Sequence, residues 1–365
     1  MTPLITEIRH NPLLWLLAFV PVLAIAKFAA PHAHTLLFVL SIVAIVPLAA
    51  LLSRATESVA TKTGDAVGGL LNATLGNLTE LIIALAALRA GQYALVKASI
   101  AGVIVCNALF MLGASLLLGG LKHHVQTYNR DNARLQASLL FLATVAILIP
   151  SVLAEADAPA SAATMQTLSV GLSMLLIVTY GLGLLFALKT HREIYGGADH
   201  GEHGEAEWPM GLALATLAVV TVMVALVSEV FVESVQQAAT TLGLSPAFVG
   251  FVIVAMVGGA AEMVSAFSAA RKNRLDLSVG IALGSAVQIA LFVCPVLVLL
   301  SFVLGPTPMS LEFWPGAVAM MIIATMTASL VTNTGRSAWF VGALIVNVYL
   351  IFCITLYVLP PPPVQ

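Results

Sequence analysis

GGLLNATLGNLTELIIALAAL, residues 68–88, and VGFVIVAMVGGAAEMVSAFSA, residues 249–269, are the two stretches on which the reading of this chain turns. Each is long and apolar enough to be a helix across a bilayer, whose hydrocarbon core of about 30 Å takes roughly 20 residues. Each nevertheless carries one carboxylate, Glu80 and Glu262, with a glycine four residues before it, Gly76 and Gly258, and small residues after it. A carboxamide follows in the next apolar run at nearly the same distance, Asn107 at 27 residues from its Glu and Gln288 at 26. Two such matched patterns in one chain make an internal repeat.

The rest of the chain agrees with a membrane reading. Of 365 residues, 60% are hydrophobic and 9% charged, against about a quarter charged in a soluble globule. That composition excludes a disordered chain and a disulfide scaffold, since only Cys106, Cys294 and Cys353 are present and all lie in apolar runs. A net charge of −2 offers no concentrated basic face, so nucleic acid is not an expected partner. Eleven apolar stretches are expected to span, near 11–30, 33–52, 65–90, 93–120, 134–154, 165–188, 208–228, 246–270, 277–304, 313–332 and 337–358. Placing the N-terminus in the cytoplasm puts twelve of the fifteen Lys and Arg inside and leaves only Lys27, Arg89 and Lys97 outside, as the enrichment of cations in cytoplasmic loops requires. The C-terminus then lies outside. Arg9, the first run and the small residues at Ala29 and Ala30 also match a cleaved signal peptide, but the run is long for one.

Setting the first span aside leaves ten, which the repeat divides into five and five. Because five is odd, the second set starts on the opposite side of the membrane, which makes an inverted repeat of the kind that places substrate between the halves of many transporters. The expected fold is an all-α polytopic membrane protein of eleven transmembrane helices. Its parts are residues 1–32, a cytoplasmic stub and first helix; 33–188, the first five-helix repeat; 189–207, a polar cytoplasmic connector; and 208–365, the second, inverted repeat. The connector, KTHREIYGGADHGEHGEAE, carries Glu193, Asp199, Glu202, Glu205 and Glu207 with His191, His200 and His203. It reads as a solvated linker, or as a weak cation-collecting segment, since carboxylate and imidazole both bind divalent metals.

A charge at the bilayer centre costs about 2.5–3.5 kcal/mol on insertion scales, so Glu80 and Glu262 need a function. Their spans run in opposite directions, which brings both acids toward the midplane with Asn107 and Gln288 beside them. Carboxylate, amide and hydroxyl oxygens make a hard-oxygen site suited to calcium. Gly76 and Gly258 interrupt their helices and free carbonyls, tolerable at membrane depth where the backbone lines a cavity. Once a cation leaves, two neighbouring acids in a low dielectric take up protons instead. Competition between calcium and protons for the same carboxylates is already a mechanism of exchange. Glu57 before the third span, and Glu229 and Glu233 at the end of the seventh, are candidates for the access paths. No phosphate loop, H-E-x-x-H or EF-hand loop is present, so no enzyme chemistry is expected.

At this point the residues resemble the cation/proton exchangers of the calcium/cation antiporter superfamily. The likeness is carried by GGLLNATLGNLTELI from Gly68, LLLGGLKHHVQTYN from Leu116, LKTHR from Leu188, GGAAE from Gly258, KNRLDLSVGIALGSAVQIALFVCP from Lys272 and GRSAW from Gly335. The resemblance implies cation exchange at Glu80 and Glu262, an acidic connector, and Asn77, Asn107, Ser285 and Gln288 as polar companions. It implies transported calcium and protons rather than a cofactor, and a bacterial cell (inner) membrane as the location. Gly259 and Met263 stand where this family usually has Asn and His, and Cys106 replaces a usual Ser. Those departures bear on selectivity. A sodium-coupled or manganese-transporting exchanger is the alternative within the class, and a cation channel or membrane scaffold the alternative outside it.

Overall fold

A computed structural model describes residue 4 and residues 7–9, 11–155, 161–191 and 208–361. Nine helices among the described residues are long and apolar enough to cross a bilayer. They are α1 (Pro12–Ala29), α2 (His34–Lys62), α5 (Tyr93–His123), α6 (Arg130–Ala154), α7 (Ala162–Thr190), α8 (Met210–Leu242), α11 (Leu275–Leu304), α12 (Pro315–Thr332) and α13 (Trp339–Val358). Two further spans pass the same test only as bent pairs. The first is α3 (Asp65–Leu75) with α4 (Leu78–Arg89), bent by 42°; the second is α9 (Pro246–Gly258) with α10 (Ala260–Arg271), bent by 59°. Counting each pair as one span brings the total to eleven.

The helices begin and end where the sequence supplies partners for terminal backbone groups. Asn129 Oδ1 accepts from Asn132 N at the start of α6, Ser161 Oγ from Thr164 N at the start of α7, and Ser245 Oγ from Phe248 N at the start of α9. Gly243, with φ +68°, ends α8 in the left-handed conformation that a side chain would strain. Several helices outrun the apolar stretches from which spans are read. The second expected span stops at residue 52, yet α2 continues to Lys62. Arg54 lies on this extension with Glu57 one turn on, their charged atoms 3.5 Å apart, so the chain stays helical after it has left the apolar layer.

The structure is nearly all-helical, as expected, with one small addition. Residues in the GRSAW stretch form a strand, β2 (Arg336–Ala338), which pairs antiparallel with β1 (Val125–Thr127) in the register Val125↔Ala338 and Thr127↔Arg336. This two-stranded ribbon pairs the loop after α5 with the turn before α13. Two three-residue strands carry no amphipathic period that a sequence reading could detect.

Helix α5 is buried along most of its length, while the outward faces of α1, α7 and α13 expose apolar side chains such as Phe28, Leu182 and Ile354, as lipid-facing helices do. Close approach relies on small residues. A Cβ on Gly250 of α9 would fall 2.6 Å from the Ala98 Cβ of α5, and Gly102 of α5 lies directly against the backbone of Phe251. Helices α2 and α8 pack along one another, with Phe38 stacked on Phe231 at 5.4 Å. Both central helices loosen into a single π-helical turn near their carboxamides, Cys106–Met111 in α5 and Ile289–Val293 in α11, a feature often found at functional positions.

Candidate cation site

Both bent pairs break just ahead of a glutamate. Gly76 and Asn77 separate α3 from α4, and Gly259 separates α9 from α10. The second break thus falls one residue beyond Gly258. Glu80 is the third residue of α4 and Glu262 the third residue of α10. Each carboxylate therefore sits in a first turn, where unpaired backbone N–H groups and the positive end of the helix dipole favour an anion. The breaks also free carbonyls for other work. Tyr180 of α7 donates its hydroxyl to the Ala73 carbonyl at 2.6 Å, which ties down the end of α3.

The two acids meet. Glu80 and Glu262 line one cavity with Gly76, Thr79 and Gly258, and its far wall is Ala49, Leu52 and Ser53 of α2. The charge of Glu80 acts on Glu262. Beside them the four polar companions form one chain of hydrogen bonds between the two halves of the sequence. Asn77 Nδ2 donates to Gln288 Oε1; Ser285 Oγ donates to Asn77 Oδ1 at 2.8 Å; Asn107 Nδ2 donates to Ser285 Oγ at 2.9 Å. Two buried oxygens are left over, Asn107 Oδ1 and Glu262 Oε2. A buried oxygen without a donor costs about 1–3 kcal/mol, and both atoms are of the type that accepts a hydrogen bond or a hard cation.

Each motif residue has a mirror position, and the mirror is imperfect. Asn77 and Thr79 of the first break correspond to Gly259 and Ala261 of the second, so the first half offers two side-chain oxygens that the second lacks. Met263 fills part of that space, its Cε 3.6 Å from where a Gly259 Cβ would stand, with Asn107 Oδ1 3.7 Å from the same point. No group of three or more His, Cys, Asp or Glu that could hold a metal is found among the described residues. The oxygen donors here are two carboxylates with amides and hydroxyls, a mixture suited to a hard cation in transit. Thr79 and Ser53, which line the cavity, escaped the sequence reading. Thr79 was legible as the neighbour of Glu80, whereas Ser53 arrives from α2 through tertiary packing alone.

Glu57, Glu229 and Glu233 lie apart from the two carboxylates. Glu57 faces Arg54, Glu229 lies 3.8 Å from Arg89, and Glu233 3.1 Å from Lys27. None lines either cavity at Glu80. Of the connector histidines, His191 stacks on Phe186 at 4.2 Å, while His200, His203 and the connector acids Glu193, Asp199, Glu202, Glu205 and Glu207 lie outside the described residues.

The space around Glu80 gives a direct test. A Cβ on Gly258 would stand 3.0 Å from Glu80 Cγ and 3.4 Å from its Oε1, so Gly258→Ala must push the carboxylate aside. Cation binding at this cavity is expected to weaken by up to about a hundredfold, the scale of a group misplaced by about 1 Å. Melting temperature should hold or rise, because alanine favours a helix over glycine by about 1 kcal/mol. A thermal-shift and calcium-binding series on the variant checks both.

Comparison with known proteins extends this picture. The family model described as sodium/calcium exchanger protein matches residues 33–189 and 212–358. The chain is 41% identical over 327 residues to the Ca(2+)/H(+) antiporter ChaA of Bacillus subtilis, covering 88% of this chain and 92% of that protein. It is 38% identical over 341 residues to a Ca(2+)/H(+) antiporter of Aphanothece halophytica, covering 90% and 91%. Among solved structures it is similar to the Ca2+/H+ antiporter protein YfkE, with a TM-score of 0.81 and 36% identity over 96% of this chain and all of that one.

Proposed function

Because the chain belongs to the sodium/calcium exchanger protein family, within the calcium/cation antiporter superfamily, we propose that it exchanges calcium for protons across a bacterial cell membrane by alternating access, with Glu80 and Glu262 binding either calcium or protons near the midplane. Such a protein is a transporter and not an enzyme, and calcium and protons are its substrates rather than cofactors. The observation that carries the reading is the cavity shared by Glu80 and Glu262, set among Asn77, Asn107, Ser285 and Gln288. Supporting it are two helix breaks at mirrored positions, a glutamate at the third residue after each, and a family match in two stretches, one over each half of the chain.

On this reading the eleven spans are one helix plus two inverted repeats of five, with the N-terminus cytoplasmic and the C-terminus outside. Helix α2 then descends from the site toward the cytoplasm, carrying Ser53 on the cavity wall and Glu57 one turn further on. Glu57 thus marks a cytoplasmic mouth, and Glu229 and Glu233, held by Arg89 and Lys27, stand near the outer side. The acidic connector gathers or releases cations in the cytoplasm. Calcium uptake into inside-out vesicles loaded with a pH dye tests the carrier. Saturable uptake accompanied by proton efflux is expected. Unsaturable flux with no proton movement would favour a channel, and sodium- or manganese-dependent flux alone would favour the other exchangers of this fold.

A further inference from the structure

Residues 305–314, between α11 and α12, form neither helix nor strand, yet Met309, Leu311 and Phe313 are buried. A buried segment without a ladder must find other partners for its backbone groups, and here four helices supply them. Met309 N donates to Ser301 Oγ of α11 at 2.8 Å, Leu311 N to Ser169 Oγ of α7 at 3.0 Å, Phe313 N to Ser151 Oγ of α6 at 2.9 Å, and Thr307 N to the Tyr93 hydroxyl of α5 at 2.9 Å. The segment is a strap drawn over one end of the bundle. Helix α5 adds a charged contact. Lys97 Nζ donates to Ser310 Oγ at 3.3 Å, Ser310 Oγ donates to Glu312 Oε2 at 3.5 Å, and the charge of Glu312 acts on Lys97.

Further along α5 from this contact, a second cavity reaches Glu80, walled by Ile83, Ile100, Val254 and Val293. Among the described residues its polar lining besides Glu80 is Ser99, two residues from Lys97 on α5. Cys294, the neighbour of Val293, also lies within electrostatic reach of Lys97. Along α5, Tyr93 and Lys97 thus meet the strap just before Ser99 and Ile100 meet the cavity. At the other end of α5 a carboxylate does the corresponding work. Asp276, near the start of α11, accepts from Asn129 N at 2.9 Å, in the loop that follows α5. Each end of the bundle is thus tied by a charged residue near the start of a central helix, and only at the Lys97 end is that residue a cation.

We infer that Lys97 is a positioning residue for exchange: bonded to Ser310 and held by the nearby charge of Glu312, it fastens the strap at the outer end of the bundle and keeps the cavity at Glu80 closed to the extracellular side. Its charge also opposes a divalent cation entering from there. The inference rests on the orientation and exchange proposed above. Opening outward must break the Lys97 contacts, so weakening them raises the population of the outward-open form.

The test is access to residue 99. Ser99→Cys is labelled with a membrane-impermeant, cationic thiol reagent in right-side-out and in inside-out vesicles, with the chain bearing only its native cysteines as the blank. Lys97→Met and Glu312→Gln are each expected to speed labelling from outside by about fivefold, the scale of one charge interaction near the surface. The charge exchange Lys97→Glu with Glu312→Lys should return it to the slow rate. Unchanged labelling in both single variants, or fast labelling in the charge exchange, would overturn the latch. A rise seen only in inside-out vesicles would overturn it through the orientation on which it rests. Labelling reads access rather than transport, so the result stands apart from whether calcium is the cargo.

Discussion

Glu80→Gln and Glu262→Gln are each expected to abolish calcium transport while the protein inserts and folds normally. Glutamine keeps the shape of the side chain and its capacity for neutral hydrogen bonds, so the chain from Gln288 through Asn77 and Ser285 to Asn107 has no reason to collapse. What disappears is the negative charge a divalent cation needs and the oxygen a proton binds. Removing one partner of a buried charged contact costs about 3–5 kcal/mol, and each 1.4 kcal/mol is about tenfold, so the loss is at least about a hundredfold. The two substitutions should be equally severe, because both acids line one cavity. Substantial transport by either variant at normal expression would remove that residue from the site. Uptake assays on purified, reconstituted variants, with thermal shifts to show folding, decide the matter.

Much of this arrangement is legible in the amino-acid sequence. Charge and hydropathy along the chain marked the apolar runs because lipid imposes a single length scale on every span. Glu80 and Glu262 are conspicuous because an acid in such a run is rare, and the recurrence of Gly, Glu and a carboxamide in both halves points to Asn107 and Gln288, while Asn77 and Ser285 are implied only by the family resemblance. Other features depend on tertiary geometry. Ser53 is an ordinary serine near the end of an apolar run and acquires its place only because α2 packs against the breaks. The β1–β2 ribbon joins residues more than two hundred positions apart, a pairing no local period announces. Helix ends were misjudged where Arg54 and Glu57 sit together one turn apart, since a hydropathy count stops at charges and a helix does not. Lys97 read simply as one of three exceptions to the charge asymmetry, and its contacts with the strap give that exception a structural reason.

The second large effect concerns driving force. If the same two carboxylates hold either calcium or protons, acidifying one side must raise the apparent calcium dissociation constant there and hasten calcium release to that side. The sign follows from competition: each proton bound removes negative charge that calcium requires. Sodium has less to hold it. Gly259 and Ala261 occupy the positions that mirror Asn77 and Thr79, so the second break adds no side-chain oxygens for additional monovalent sites. The most direct measurement imposes the two gradients separately on the same inside-out vesicles. A proton gradient, acid inside, with no sodium present, is expected to drive calcium accumulation, and a sodium gradient at equal pH to drive almost none. Calcium accumulation with the proton gradient collapsed and sodium inside only would contradict proton coupling and put sodium-coupled exchange in its place.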